Sequence, residues 1–462
     1  MNLATSFRRF SVPSTVNLRI FHAAATVGVF SVLVKLVATL KELAIANSFG
    51  RGDAVDAFLL ALMIPSFVVA LVAGSLNAAL IPSYVQVREH EGEEAAQKLL
   101  SGSLFWSLIM LLTVALVLAA GAPALFRAIA PGFPPAKLAL TTRFFYVLLP
   151  MVLLSGITVN CGAVLNARRS FWLPAITPML SPALMIVLLM GTRTFGVWAL
   201  PIGLVLGTFL ESVLLMGALW RRGILFLPRW YPATPALRRV RAQYIPLLFG
   251  SVLSSGVVIV DQTMAARLQP GSVAALGYGN RIVNVVVALT AVSLSSAVIP
   301  YFSEMVARRQ WAQCRHTLKT YTWLIASVTI PVGLGIALLS QPIVRLLFQR
   351  GAFTAADTAL VARVQAMYAF QIPVYAVSLL YIRLLTALNR NDLVMISALI
   401  NLTLDVILNI ICIRFFGLPG IALSTSLFYA GSLIYAVVVC RRVLRNASAE
   451  SPLPLEPGHA CV

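Results

Sequence analysis

Charged residues interrupt apolar segments that otherwise contain almost none. The segment VFSVLVKLVATLKELAIANSFG carries Lys35 and Lys41, followed at once by Glu42. Glu42 stands seven residues after Lys35, about two helical turns, so the two residues share one helix face. Cations at this depth suit a water-filled cavity that receives an anionic substrate. The alternative is a structural ion-pair network, in which Asp56 of the next apolar segment would be a partner.

A third cation, Arg281, lies in the apolar segment that begins GYGNRIVNVVVAL, with Asn284 one helical turn later. A guanidinium presents a planar fork that matches phosphate, and it does not lose its charge by giving up a proton. Arg281 and Asn284 are therefore candidate contacts for an anionic group. The alternative is an arginine whose side chain snorkels to the membrane surface.

A separate, oxygen-rich set occurs in the second half of the chain. Asn401, Asp405 and Asn409 recur every four residues in ISALINLTLDVILNIICI and form one stripe on a helix. Asp261 is isolated in VVIVDQT, and Thr425 interrupts the last apolar segment. Carboxylate, amide and hydroxyl oxygens suit a small hard cation such as Na⁺, or a proton. An interhelical hydrogen-bond seam explains the same spacing equally well.

The composition indicates a membrane protein. Hydrophobic residues make up 60% of the 462 residues and charged residues only 11%, with a net charge of +20. Soluble chains average about 25% charged residues, so a cytosolic enzyme is excluded. The basic residues are scattered between apolar segments, which argues against nucleic-acid binding. There is no nucleophile elbow, phosphate-binding glycine loop or metal-ligand cysteine spacing, so we expect neither an enzyme nor a bound cofactor.

About twelve segments are long and apolar enough to cross a bilayer as helices, each of which needs about 20 residues. Helices are expected because an open sheet would leave backbone groups unpaired in lipid. The predicted spans are 24–48, 54–86, 102–127, 138–165, 171–191, 195–219, 242–267, 272–303, 318–340, 360–388, 393–415 and 418–440.

An internal repeat divides these spans into two sets of six. AGSLNAALIPSY at 73–84 resembles AVSLSSAVIPYF at 291–302, and VLNARR at 164–169 resembles ALNRND at 387–392. Both pairs keep the same order and sidedness, which predicts two parallel six-helix lobes around a central cavity. Lysine and arginine are concentrated in the loops on the side of the two termini, which predicts that both termini are cytoplasmic. The predicted parts are a cytoplasmic leader (1–23), an N-lobe (24–220), a cytoplasmic linker (221–241), a C-lobe (242–441) and a cytoplasmic tail (442–462).

Several motifs, in this order, resemble the MurJ/MviN family of lipid II flippases, within the superfamily that includes multidrug (MATE) and oligosaccharidyl-lipid exporters. They are the basic first span with its following acid, NSFG at 47–50, DAF at 56–58, Pro65 in mid-span, NAALIPSY at 77–84, GYGNRIVN at 277–284 and LSSAVIPYFSE at 294–304. The resemblance covers most of both halves. It implies an all-α polytopic fold of the MATE/MurJ type.

The resemblance also implies a substrate and two sets of site residues. Family members carry an undecaprenyl-diphosphate-linked saccharide, the peptidoglycan precursor, to the outer leaflet by alternating access. The expected partners are this lipid and the membrane lipids of the bacterial inner membrane, and a role for cell-envelope polymerases is left open. By matching position, the substrate-binding residues are Lys35, Lys41, Asp56 and Arg281, with Glu42 and Asn284 beside them. The matching ligands for Na⁺, the candidate coupling ion, are Asp261, Asn401, Asp405, Thr425 and a backbone carbonyl near Ile421.

The chain departs from the family pattern in three respects, and the second and third leave alternatives open. Lysines replace family arginines at Lys35 and Lys41, which keeps the charge but loses the bidentate fork. Val69 stands near a further basic position of the family, and about twelve spans are expected where the family usually has fourteen. An exopolysaccharide or O-antigen flippase is therefore an alternative. A cation or drug antiporter of the same fold would need an acidic cavity, and a non-transporting scaffold would leave the buried charges without a use.

Overall fold

The computed structural model describes residues 15–168, 170–191, 195–224, 228–229, 252, 255–388 and 390–449. Side chains are described from Gly28 onward, except at 72–79, 81–83, 85, 292–293, 295–297, 299–300, 303 and 448–449. Every regular element in these ranges is a helix. The chain divides into two compact units, the first comprising Met1–Phe49 and Asp53–Val252 and the second Gly50–Gly52 and Leu253–Val462.

The described part of the first unit contains four long helices followed by three shorter ones. Two turns of 3₁₀ helix, at Thr177–Met179 and Gly196–Trp198, lead into the last two of them. The helices are α1 (Thr15–Phe49), α2 (Asp53–Glu91), α3 (Glu93–Ile129), α4 (Pro135–Ala167), α5 (Trp172–Ile176), α6 (Leu180–Met190) and α7 (Ala199–Trp220).

The described part of the second unit contains eight helices. One of its predicted spans, 360–388, is interrupted at Phe370, which separates α12 from α13. The short α11 begins where the predicted span 318–340 ends. The helices are α8 (255–266), α9 (Ser272–Ala307), α10 (Trp311–Leu338), α11 (Ser340–Phe348), α12 (Ala355–Ala369), α13 (Gln371–Ala387), α14 (Asn391–Phe416) and α15 (Leu418–Ala449).

Local sequence explains where several helices begin. Pro135 is the first residue of α4, where its fixed φ fits the helix and its missing N–H costs nothing. At α12, the Thr354 hydroxyl accepts from the Asp357 backbone N–H while the Asp357 carboxylate accepts from the Thr354 N–H, forming a capping box. Gly417 separates α14 from α15 with φ of 63°, a conformation that glycine adopts most readily.

Ten helical segments in the described part of the chain are long and apolar enough to cross a membrane, and they coincide with ten of the twelve predicted spans. The predicted span 24–48 is helical within α1 but is not among the ten, and 242–267 falls largely outside the described residues. Large apolar side chains face outward on these helices, including Val117 at 67% and Trp323 at 70% exposure. A soluble protein would not expose them, so lipid is their solvent. Because only ten spans are found among the described residues, the predicted number of twelve spans is not confirmed exactly.

Each unit has its own apolar core. In the first unit, Tyr84, Leu100 and Leu165 belong to one buried cluster, and in the second, Phe302 and Leu384 belong to another. The predicted linker 221–241 lies largely outside the described residues, as do most of the predicted leader and tail. The lobe boundaries therefore stay predictions, although the division between units after Val252 lies close to the predicted start of the second lobe.

Candidate functional site

The first unit carries the paired lysines of α1. Lys41 Nζ binds Glu42 Oε1 at 2.8 Å, and both side chains are about four-fifths buried. Lys35 is exposed, with its backbone carbonyl accepting a hydrogen bond from the Thr39 hydroxyl at 2.8 Å. The ion pair therefore joins the two neighbouring residues, and Lys35 presents its ammonium group on an open face of the helix.

Asp56 lies in a buried ion cluster with a lysine that the sequence interpretation did not single out. Lys137 Nζ, at the start of α4, binds Asp56 Oδ2 at 2.8 Å and Asp53 Oδ1 at 2.7 Å. The Lys137 ammonium also lies 3.9 Å from the centroid of the Phe133 ring, a cation–π contact. Asp56 is 1% exposed, so its carboxylate is held in a structural pair between α2 and α4. Substrate binding by Asp56 stays a prediction.

Glu211 of α7 is a further buried carboxylate of the first unit. The Thr177 hydroxyl donates to Glu211 Oε1 at 3.2 Å, and one turn away Ser181 and Thr208 lie 3.4 Å apart, oxygen to oxygen. At Gly207 a Cβ would meet the Ser181 Cα at 2.2 Å, so only glycine permits this close approach of α6 and α7. The polar groups of this region thus form a hydrogen-bonded seam between two tightly packed helices.

Arg281 and Asn284 lie in the second unit, one turn apart on α9. Arg281 is half-buried and Asn284 is exposed. Helix α9 is held close to α12 at Gly279, where a Cβ would meet the Val364 side chain at 2.6 Å. Tyr278, 3% exposed, donates its hydroxyl to the Gly50 carbonyl at 3.1 Å and packs against Phe353. The backbone that carries Arg281 is therefore rigidly fixed within the unit.

The carboxylates predicted to bind an ion come together in the second unit. Asn409 Nδ2 donates to Asp261 Oδ1 at 2.8 Å and to Asp405 Oδ1 at 3.1 Å. Asp405 and Asn409 are fully buried, and Asp261 is nearly so. One amide group therefore bridges two buried acids, which come from α8 and α14.

Helix α15 supplies hydroxyl and carbonyl oxygens to the same place. The Ser424 hydroxyl bonds to Asn409 Oδ1 at 2.5 Å and to the Ile421 carbonyl at 2.7 Å. The Thr425 hydroxyl lies 3.5 Å from Asp261 Oδ2 and donates to the Ile421 carbonyl at 3.1 Å. Tyr368 of α12 is buried and lies beside Thr425. We call this group the oxygen cluster, and its members are Asp261, Tyr368, Asp405, Asn409, Ile421, Ser424 and Thr425.

Two oxygens in and beside the oxygen cluster lack a donor among the described residues. Asp405 Oδ2 and Asn401 Oδ1 are buried and accept no hydrogen bond from the described residues. Asn401 stands one turn before Asp405 on α14, so both atoms lie on the same helix face. Two carboxylates in a low-dielectric interior require a compensating positive charge. A small cation or a proton would supply it, and the donor set consists of the hard oxygens that Na⁺ accepts.

The structure thus brings together Asp261, Asp405, Ile421 and Thr425, and it places Asn401 beside them. Asn409, Ser424 and Tyr368 complete the oxygen cluster. Asn409 belonged to the predicted stripe without a ligand role, Ser424 directly precedes the predicted ligand Thr425, and nothing in the spacing indicated Tyr368. Lys137 was also missed, because it stands one residue before the predicted span 138–165 and the sequence shows no partner for it.

The family model for the lipid II flippase MurJ matches residues 45–451 of this chain. The chain belongs to the MurJ family. A relative from Vibrio cholerae, "Probable lipid II flippase MurJ", is 26% identical over 444 residues, covering 91% of this chain and 83% of the relative. The matched region begins at Ile45, so Lys35, Lys41 and Glu42 precede it. MurJ proteins are transporters, which confirms the expectation that the chain is not an enzyme.

Solved structures agree on the fold. "Lipid II flippase MurJ, inward closed conformation" matches with a TM-score of 0.79 at 21% identity, covering 92% of this chain and 90% of that one. An inward-facing MATE-family multidrug transporter matches with a TM-score of 0.80 at 14% identity, covering 93% and 100%. The all-α MATE/MurJ fold is therefore confirmed, and the protein crosses the membrane several times.

Proposed function

We propose that this protein is a lipid II flippase, which carries the peptidoglycan precursor from the inner to the outer leaflet of the bacterial inner membrane. The observation that carries the proposal is the MurJ family match over residues 45–451, nearly the whole chain. Alternating access provides the mechanism, because a cavity that opens first to one side and then to the other moves the headgroup while the tail stays in lipid.

The charge of the candidate substrate residues supports an anionic headgroup. A diphosphate in a bilayer needs cations along a wet path, and Lys35, Lys41 and Arg281 would supply them, with Glu42 and Asn284 as polar neighbours. Asp56 would act indirectly through its pair with Lys137. A drug or cation antiporter would instead require an acidic cavity. The family match favours neither that function nor an exopolysaccharide or O-antigen flippase.

The oxygen cluster supports a coupling ion in the second unit. Its residues fit Na⁺, because they offer buried carboxylate and amide oxygens to which no described residue donates a hydrogen bond. Binding of Na⁺ would offset part of the negative charge of Asp261 and Asp405 and so change the free energy of the packing between α8, α14 and α15. We place both termini in the cytoplasm on the distribution of lysine and arginine. Cell-envelope polymerases are candidate protein partners.

Complementation of a bacterial strain depleted of its own lipid II flippase tests the proposed function. We expect this protein to restore growth and lipid II export when the resident lipid II flippase is depleted, whereas Lys35→Ala and Arg281→Ala should fail to do so at equal membrane abundance. Removing a charge that contacts a diphosphate should cost at least about tenfold in transport. Lys98→Ala is the matched control, because Lys98 pairs with Glu94 on an exposed surface and should retain full export.

Export of exopolysaccharide repeat units is scored in the same cells. Restored exopolysaccharide export without lipid II export would contradict the proposal. Full complementation by both alanine variants would leave the family role intact but would remove Lys35 and Arg281 from the site.

A further inference from the structure

A cavity of about 380 Å³ lies at one end of the first unit, lined by Arg88, Ala167, Arg168 and Arg222. Arg88 is in the last turn of α2, Arg168 follows the end of α4, and Arg222 follows the end of α7. Three helices therefore end around one space, and each contributes a guanidinium group to its wall. Neither the candidate substrate residues nor the oxygen cluster includes any of them.

The residues next to the cavity are firmly packed. Tyr84 is 1% exposed and belongs to the core of the unit, and its hydroxyl accepts from Arg168 Nη2 at 3.2 Å and Nε at 3.3 Å. Beside Arg222, the buried Ile224 returns its backbone N–H to the Leu219 carbonyl at 3.1 Å. These contacts fix the backbone beside Arg168 and Arg222 before any ligand arrives.

The guanidinium groups keep donors available for an anion. A guanidinium has five N–H donors, and within the described residues Arg222 uses Nη2 to donate to Ser170 Oγ at 2.8 Å. Ala167 adds no bulk beyond a methyl group. The cavity is large enough for a phosphate group and a part of its ester.

Two glutamates compete for the same cations. Glu89 Oε1 pairs with Arg88 at 2.7 Å, and Glu93 pairs with Arg168. Both carboxylates are more than half exposed, at 62% and 57%. Ion pairs with exposed partners are worth about 0–1 kcal/mol, so a phosphate that binds two or three guanidinium groups together can replace them.

Arginines at helix C-termini also have a simple structural use, since they offset the negative end of the helix dipole. That use explains one basic residue per helix, but it does not explain why three of them line one open cavity. The cavity lies where apolar helices end, which is the level of lipid headgroups in a membrane. Basic pockets between membrane helices are a recognised way of holding phosphate headgroups.

We propose that this cavity, the arginine pocket, binds the phosphate group of a membrane lipid. Two lipids offer that chemistry, an anionic phospholipid of the bilayer and the polyprenyl diphosphate itself before it enters the transport path. The arginine forks match phosphate oxygens, whereas a zwitterionic headgroup brings a cation that the pocket repels. The inference goes beyond the proposed function. Its phospholipid form does not depend on which substrate the protein carries, and its polyprenyl diphosphate form rests on the proposed function.

Lipid binding to the purified full-length protein tests this inference directly. Titrations use nanodiscs or detergent with phosphatidylglycerol, with phosphatidylcholine and with undecaprenyl diphosphate. Arg88→Gln/Arg222→Gln removes two pocket cations and leaves the Arg168–Tyr84 contact in place. Lys98→Gln/Arg221→Gln is the matched control, because it removes two exposed cations of the same unit that do not line the pocket.

We expect the pocket variant to lose roughly tenfold or more in affinity for at least one phosphate lipid, while the control changes less than about twofold. Loss for phosphatidylglycerol alone identifies the phospholipid as the ligand, and loss for undecaprenyl diphosphate alone identifies the substrate. Equal loss in both variants, or no loss in either, would overturn the proposal and leave the arginines as helix caps. Thermal unfolding confirms folding, and Arg222→Gln alone, at an exposed residue, replaces the double variant if that variant unfolds.

Discussion

Asp405→Asn should abolish the stabilisation that sodium gives the purified protein. In the unchanged protein, Na⁺ bound to the oxygen cluster would be lost on unfolding, so saturating sodium should raise the free energy of unfolding by about 2.7 kcal/mol at a hundred times the dissociation constant. The variant removes one of the two buried carboxylates that require a cation. Thermal unfolding in NaCl against KCl at equal ionic strength measures the difference.

Asp392→Asn is the control for the sodium experiment, because it changes an exposed carboxylate on the same helix. Asp392 pairs with Arg390 at 2.9 Å outside the oxygen cluster. It should keep the full sodium effect. An unchanged protein that unfolds at the same temperature in sodium and in potassium would contradict a sodium site. If low pH stabilises that protein and sodium does not, the oxygen cluster binds a proton instead.

Lys137→Ala should destabilise the protein by about 3–5 kcal/mol, since it leaves two carboxylates of a buried ion cluster without their cation. Asp56 is the more costly of the two, because its side chain is almost fully buried while that of Asp53 is exposed. The contact of Lys137 with the Phe133 ring is lost in addition. Thermal unfolding in detergent measures the effect, and membrane abundance should fall with it.

Two further variants separate charge from packing at this cluster. Asp56→Ala/Lys137→Ala should be more stable than Lys137→Ala alone, because it removes the buried carboxylate together with its cation. Lys98→Ala, which breaks an exposed pair with Glu94, should change stability by no more than about 1 kcal/mol. An unfolding temperature for Lys137→Ala equal to that of Lys98→Ala would show that the cluster does not stabilise the fold.

The sequence predicted the spans and most of the oxygen cluster because both depend on local spacing. A run of apolar residues is read directly as a helix, and Asn401 and Asp405 share a face by helical periodicity alone. Asp261 was found because an isolated carboxylate in an apolar segment is rare. Its contact with Asn409 crosses 148 positions of sequence, and only the packing of α8 on α14 establishes it.

Residues that depend on helix pairing could not be predicted. Lys137 lies just outside a predicted span, and only the packing of α4 on α2 brings its ammonium group to Asp56, 81 positions away. Tyr368 carries no spacing signal, since it contributes to the oxygen cluster only through the position of α12 beside α15. The convergence of Lys35 and Lys41 with Arg281 joins the two units and stays a prediction.

Translocation of lipid II by the purified protein in proteoliposomes is the decisive measurement of the proposed function. We expect labelled lipid II to reach the opposite leaflet several times faster than in protein-free vesicles, and Arg281→Ala to reduce the rate to the protein-free level. A lipid II translocation rate equal to that of protein-free vesicles, from a protein that is folded and correctly inserted, would contradict it.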